Sequence, residues 1–255
     1  MLELYLIKYY TIYQGDLMLE KYEVVIFDLD NTLIDNDKSM HYAFLDMVNS
    51  LNIKYTDKLF EIFKQFENNY WSSFIKGDIK IPDCYNTDDK RIEYLRINRF
   101  QHFFKNVNYI EANEINKRYS YNLGENIVPI DSDTYSVIKN IHKNSSIFIV
   151  TDNPKKPAIR KIEKLGIKKY IDDIVVADDC GYSKPSRQIF NLLLSKIKQK
   201  DKTKMIIIGD SLISDIQFGI NNGIDSCLFN PNSNKNTTNI FPTYEIKRLK
   251  SLIKK

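Results

Sequence analysis

Short apolar runs recur along the chain at the rhythm of a βαβ fold. "EVVIFD" (23–28), "SSIFIVTD" (145–152), "DDIVVADD" (172–179), "KMIIIGD" (204–210) and "DSCLFNP" (225–231) are rich in β-branched residues, and none alternates polar with apolar. Continuous apolar strands suit a parallel sheet covered by helices on both faces. Between them, "PAIRKIEKLG", "SRQIFNLLLSKIK" and "SDIQFGINNG" carry apolar residues at helical spacing. Gly166 and Gly223 stand where two of these helices would end, and Pro157 and Pro185 where helices would begin. The pattern predicts a doubly wound α/β core.

One connection breaks the rhythm. Residues 36–130 contain no convincing strand but several helical segments: "SMHYAFLDMVNSL", "DKLFEIFKQFENNYWSSFIK", "RIEYLRINRFQHFFKNV" and "EANEINKRYSYNL". Phe60, Phe63, Phe66 and Tyr70 form an aromatic stripe expected to be the core of a small helical bundle. An insertion of this length is a domain rather than a loop. The expected division is therefore a core of 18–35 and 131–255, and a helical domain of 36–130. Residues 1–17 are expected to be a peripheral extension, since "LEKYEVVIFD" after Met18 is a natural start for the first strand. "NPNSNKNTTN" (230–239) reads as a polar loop before a last helix, with "IKRLKSLIKK" as its solvated basic face.

Composition narrows the partners. Of 255 residues, 43% are hydrophobic and 27% charged, and the net charge is only +4, which suits a globular protein. The lysines are scattered, so binding of a nucleic-acid polymer is not expected. No apolar run is long enough to cross a bilayer and no signal-peptide layout is present, so no membrane association is expected. Cys84, Cys180 and Cys227 lack metal or redox spacing and are expected to be buried free thiols of a cytoplasmic protein.

The ends of the apolar runs carry the candidate chemistry. In an open parallel sheet, ligands bind at the carboxyl ends of the strands. The first strand ends in Asp28 and Asp30, and the second in Thr151, Asp152 and Asn153. Lys184-Pro185 follows the third, and Gly209-Asp210-Ser211 the fourth, with Asp215 a turn further on. Packed carboxylates repel one another, and Lys184 alone cannot balance Asp28, Asp30, Asp210 and Asp215. A divalent cation with oxygen ligands resolves this, and magnesium fits best because it accepts few carboxylates and keeps waters and phosphate oxygens. Helix capping explains Ser211 or Asp215 singly, but not the whole set in this order.

These elements resemble the haloacid dehalogenase (HAD) superfamily. "DLDNT" looks like its first motif, Thr151 its second, "SKP" with Lys184 its third and "GDSLISD" its fourth. The resemblance implies a Rossmann-like HAD core with an inserted all-α cap, as in the first subclass. It also implies a magnesium-dependent phosphatase acting through an aspartyl-phosphate. Asp28 would be the nucleophile and Asp30 the general acid and base. Thr151 and Lys184 would bind the substrate phosphate. Asp28, the backbone carbonyl of Asp30, and Asp210 would hold magnesium, with Asp215 either a further ligand or the group that orients Lys184. Asp152 stands where many relatives carry Asn. Its carboxylate is expected to turn away and cap the turn while its N–H contacts phosphate. The dehalogenases that name the superfamily lack the second aspartate, so Asp30 favours phosphoryl transfer.

The partner implied is a small phosphate ester, with monomer and homodimer both open. "GDSLISDIQFGINNGIDSCLFNP" and "PTYEIKRLKSLI" are similar to the branch of house-cleaning pyrimidine 5′-nucleotidases, which makes a nucleoside 5′-monophosphate the first substrate to test. A sugar-phosphate phosphatase or a phosphomutase is the alternative, and a non-catalytic binding module of the same fold a more distant one. Tyr42, Phe44, Trp71 and Phe74 have the chemistry to stack a base, but their helical spacing places them in the bundle core.

Overall fold

The structure is a computed structural model and describes residues 13–14 and 19–253. The chain divides into two compact units, Met1–Asn36 with Val128–Lys255, and Asp37–Ile127. Of the segment 1–17, only Tyr13–Gln14 lies within the described residues; the rest of that expectation falls outside them.

The first unit is an α/β unit built on a parallel sheet. Its strands are β1 (Tyr13–Gln14), β2 (Val24–Phe27), β3 (Ser146–Thr151), β4 (Asp173–Val176), β5 (Met205–Gly209), β6 (Asp225–Phe229) and β7 (Tyr244–Ile246). Their order is β1-β7-β6-β5-β2-β3-β4. From β2 the chain steps out to β3 and β4, then returns to the other side of β2 as β5 and continues outward. That reversal is the topological switch at which doubly wound sheets open a crevice.

Register places the strand ends together. Phe27 pairs with Ile149 and with Ile208, so the residues after β2, β3 and β5 emerge along one edge of the sheet. All four residues of β2 and all five of β5 are buried. Fully burying an aliphatic side chain contributes roughly 1.5–3 kcal/mol, so these strands supply the stability that offsets charge gathered at their ends. On one face, Val24, Ile26, Val150 and Ile207 pack with Ile189, Phe190 and Leu193 of a helix over Arg187–Lys196, and with Phe218.

The helices, in chain order, are α1 (Asn36–Ser50), α2 (Asp57–Lys76), α3 (Asp88–Phe104), α4 (Tyr109–Glu125), α5 (Thr134–Ile141), α6 (Lys155–Lys164), α7 (Arg187–Lys196) and α8 (Gln217–Asn222). Gly223 closes α8 with φ of 67°, a left-handed conformation that glycine adopts without a Cβ penalty. No helix among the described residues is long and apolar enough to cross a membrane.

The second unit is all helical. Thr56 caps α2 by accepting from Leu59 N, and Asn108 and Glu111 form a reciprocal capping box at α4. Its interior is aromatic: Phe44 stacks on Phe63 with ring centroids 4.6 Å apart, and Phe60, Phe100 and Tyr119 are buried with them.

Several sequence expectations are corrected. The last helix is instead the strand β7 followed by a short 3-10 turn at Leu249–Leu252. Hydrogen bonding of Tyr244–Ile246 to β6 outweighs the helical spacing of the tail. Helix α5 had no counterpart in the sequence reading. Tyr42 is 46% exposed rather than in the bundle core, whereas Phe44 is fully buried. Of the three free thiols only Cys227 is buried; Cys84 is exposed and Cys180 intermediate.

Candidate active site

Asp28 follows β2 directly, and its N–H donates to Ile208 O of β5 at 2.9 Å, which continues the ladder past the last paired residue. The residue is 8% exposed. Its Oδ1 accepts from Lys184 Nζ at 2.5 Å. The same ammonium donates to Asp215 Oδ1 at 2.7 Å, and Asp215 Oδ2 accepts from Ser211 N at 3.0 Å. Asp215 is therefore held at both oxygens.

Local sequence explains how Asp215 gets there. Ser211 caps a π-helical turn at Leu212–Ile216, its Oγ accepting from Ser214 N. This turn folds Asp215 back onto the end of β5. The approach needs Gly209, because a Cβ there would lie 2.2 Å from Asp215 Cγ.

Asp28, Asp210 and Asp215 each bring a carboxylate oxygen within 4.8 Å of the others. Burial pushes the Asp28 carboxyl well above its ordinary range, against the pull of Lys184, and Asp215 and Asp210 push it further. Asp210 is pushed up to about 6, by burial first and then by Asp215. Burial would lower the Lys184 ammonium, but Asp215, Asp28 and Asp152 outweigh it and raise it. Lys184, the ammonium in contact with Asp28 and Asp215, thus leaves negative charge in excess in this cluster. Asp210 Oδ1 accepts from Thr32 Oγ1 at 3.4 Å. This donor set fits a hard divalent cation with oxygen ligands, and Asp28, Asp210 and Asp215 are the carboxylates that could hold it.

The second aspartate has a different environment. Asp30 is half-buried, its Oδ1 accepting from Lys161 Nζ at 2.6 Å and its Oδ2 from Asn153 Nδ2 at 2.9 Å. Thr151, 1% exposed, ends β3; its Oγ1 accepts from Asn153 N at 3.3 Å and Asn153 Nδ2 at 2.9 Å. Both bonds use its lone pairs and leave the O–H to donate. Asp152 Oδ1 accepts from Lys184 N at 3.0 Å, which ties the turn after β3 to the loop after β4. Its carboxylate is thereby turned to a backbone donor.

Asp28, Lys184, Asp210 and Asp215 form one cluster; Asp30 and Thr151 are linked through Asn153. Lys161 was not singled out from the sequence, and Asn153 was named at the end of the second strand without a role. The signal for Lys161 was available: it falls on the apolar stripe of α6, with Pro157, Ala158 and Ile162, all buried. A lysine on a buried stripe is rare unless paired.

Comparison with known proteins gives the class. Residues 22–223 match the model of haloacid dehalogenase-like hydrolases, and the chain belongs to that family of hydrolases. It is 28% identical to the HAD-hydrolase YfnB of Bacillus subtilis over 92% of this chain and 95% of that protein. The crystal structure of YfnB bound to magnesium superposes with a TM-score of 0.76 at 26% identity, covering 90% of this chain and 96% of that one. The pyrimidine 5′-nucleotidase YjjG of Escherichia coli is 24% identical over 91% of this chain and 96% of its own. Human N-acylneuraminate-9-phosphatase is 23% identical over 83% of each.

Proposed function

We propose that this hydrolase is a magnesium-dependent phosphomonoesterase that works through an aspartyl-phosphate on Asp28, with a nucleoside 5′-monophosphate as its substrate class. The observation that carries the reading is the buried cluster in which Lys184 bridges Asp28 and Asp215. A carboxylate held beside an ammonium, at the open edge of the sheet, is a nucleophile with its charge compensation already in place.

Asp28 attacks phosphorus; the Asp28 Oδ–P bond forms as the ester P–O bond breaks. Asp30 gives its proton to the leaving oxygen, then takes one from the water that attacks the acyl phosphate, and Asp28 is released. Thr151 O–H and Lys184 Nζ bind the phosphoryl oxygens, with the Asp152 N–H as a further donor. Hydrogen bonds at both Asp215 oxygens, from Lys184 Nζ and Ser211 N, support a role for Asp215 in orienting Lys184. When bound by Asp28, Asp210 and the Asp30 carbonyl, magnesium supplies positive charge against the phosphoryl oxygens.

Similarity to YjjG supports the nucleotide class, and similarity to the N-acylneuraminate-9-phosphatase favours a sugar phosphate as the second reading. A screen of phosphate release over nucleotides and sugar phosphates with magnesium separates them: preference for UMP or dUMP is expected, and activity confined to sugar phosphates overturns it. Conversion to an isomeric phosphosugar without free phosphate identifies a mutase. Asp28→Asn is expected to lower turnover of p-nitrophenyl phosphate by at least roughly 10³-fold with the fold intact. Retained turnover refutes the nucleophile assignment.

A further inference from the structure

The backbone at Asp30 is set by its own turn. Asn31 adopts φ of 58° and its N–H donates to Ile34 O at 2.6 Å. What that turn does not set is the direction of the Asp30 carboxylate. Two groups from other elements do so: Lys161 of α6 at Oδ1 and Asn153 at Oδ2.

Lys161 is 0% exposed. Its ammonium has three N–H donors and three oxygen acceptors: Asp30 Oδ1 at 2.6 Å, Asn36 Oδ1 at 3.3 Å and Asn153 Oδ1 at 3.4 Å. Every acceptor lies in the loops after β2 and β3 or at the first residue of α1. For the fold alone, a leucine or methionine on this stripe avoids the desolvation of a buried ammonium, which costs several kcal/mol before pairing. The charge is placed where it grips one carboxylate.

We propose that Lys161 is a positioning residue that fixes the side-chain torsion of Asp30 for proton transfer to and from the reacting oxygens. This rests on the acid–base role given to Asp30 above. Lys161 exchanges no proton with substrate. It acts through Asp30, with Asn153 carrying the same constraint across to Thr151.

The test uses Lys161→Met, which keeps the stem and removes the donors, and two esters. The alkoxide of glycerol phosphate needs a proton from Asp30 to leave; the nitrophenolate of p-nitrophenyl phosphate does not. K161M is expected to lower kcat roughly 10- to 100-fold for glycerol phosphate and less than roughly 3-fold for p-nitrophenyl phosphate, with KM little changed. Lys161→Arg is expected to recover part of the loss, and K161M is expected to add nothing in an Asp30→Asn background. Equal losses on the two esters, or a further loss in that background, overturn the proposal. If K161M does not fold, the ratio of the two losses in K161R decides by the same criterion. A crystal structure of K161M with the Asp30 torsion unchanged also overturns it, independently of turnover. Failure of the native enzyme to hydrolyse any phosphate ester instead removes the phosphatase reading and leaves that torsion as the judge.

Discussion

The two units spend burial differently. In the α/β unit, Asp28, Lys184 and Asp215 are buried in the segments that follow strands, and Lys161 is buried on helix α6. In the helical unit the buried interior is aromatic, and its buried charge is the pair Arg99–Glu67 at 2.7 Å, with side chains 8% and 9% exposed. Arg99 also lies against the rings of Phe100 and Tyr119. One interior is arranged around charges that need something further; the other is arranged to pack. Substitutions in the first should therefore register in chemistry, and in the second in stability.

The sharpest way to break that contrast is Gly209→Ala. The added methyl must displace Asp215, and Lys184 with it. Turnover of p-nitrophenyl phosphate is expected to fall by about 100-fold with a smaller proportional change in unfolding midpoint. A silent G209A removes Asp215 from the argument. In the helical unit, Phe63→Ala is expected to cost about 3–5 kcal/mol in denaturant unfolding, since Phe63 is fully buried among Phe44, Phe100 and Tyr119. Glu67→Gln leaves Arg99 without its carboxylate and is expected to cost about 3 kcal/mol. A cost near zero would mean that the aromatic rings, with Arg96 O and Asn116 Oδ1, suffice to hold the guanidinium.

The smallest expected effect concerns magnesium and pH. Asp210, raised to about 6, is a carboxylate at pH 8 and largely protonated at pH 5. Without metal, its burial destabilises the fold above pH 6, and protonation relieves this below. Metal and proton therefore compete. Magnesium at about 100 times its Kd stabilises by about 2.7 kcal/mol at pH 8, and by about 1.4 kcal/mol less at pH 5. Thermal unfolding with and without the ion at both pH values measures this; a metal shift that grows on acidification contradicts the placement of the cation at Asp210.

How much could be read from the sequence follows from how local each feature is. The apolar runs at β2 to β6 were legible because each strand is buried on both faces and needs no partner to be recognised. Tyr244–Ile246 was not, because three residues with a basic tail become a strand only through pairing with Cys227–Phe229. Asp28, Asp30 and Asp210 stand directly after apolar runs, so their position announced them. Lys161 sits between Arg160 and Lys164, and these basic neighbours mask its place on the apolar stripe of α6. Tyr42 erred the other way: apolar spacing suggested the bundle core, yet it lies on the outer side of α1. Gly209 was legible as the first residue of "GDSLISD", but its steric reason was not, since that is a side chain six residues later.

The shared ammonium has one more consequence. In the proposed mechanism Asp28 would change from carboxylate to mixed anhydride and back over a turnover, so its claim on Lys184 would rise and fall. The claim of Asp215 does not, because its own anchor is the Ser211 amide. Lys184 therefore behaves as a stationary pole: the reaction moves past it, and nothing has to be re-aimed before the next round.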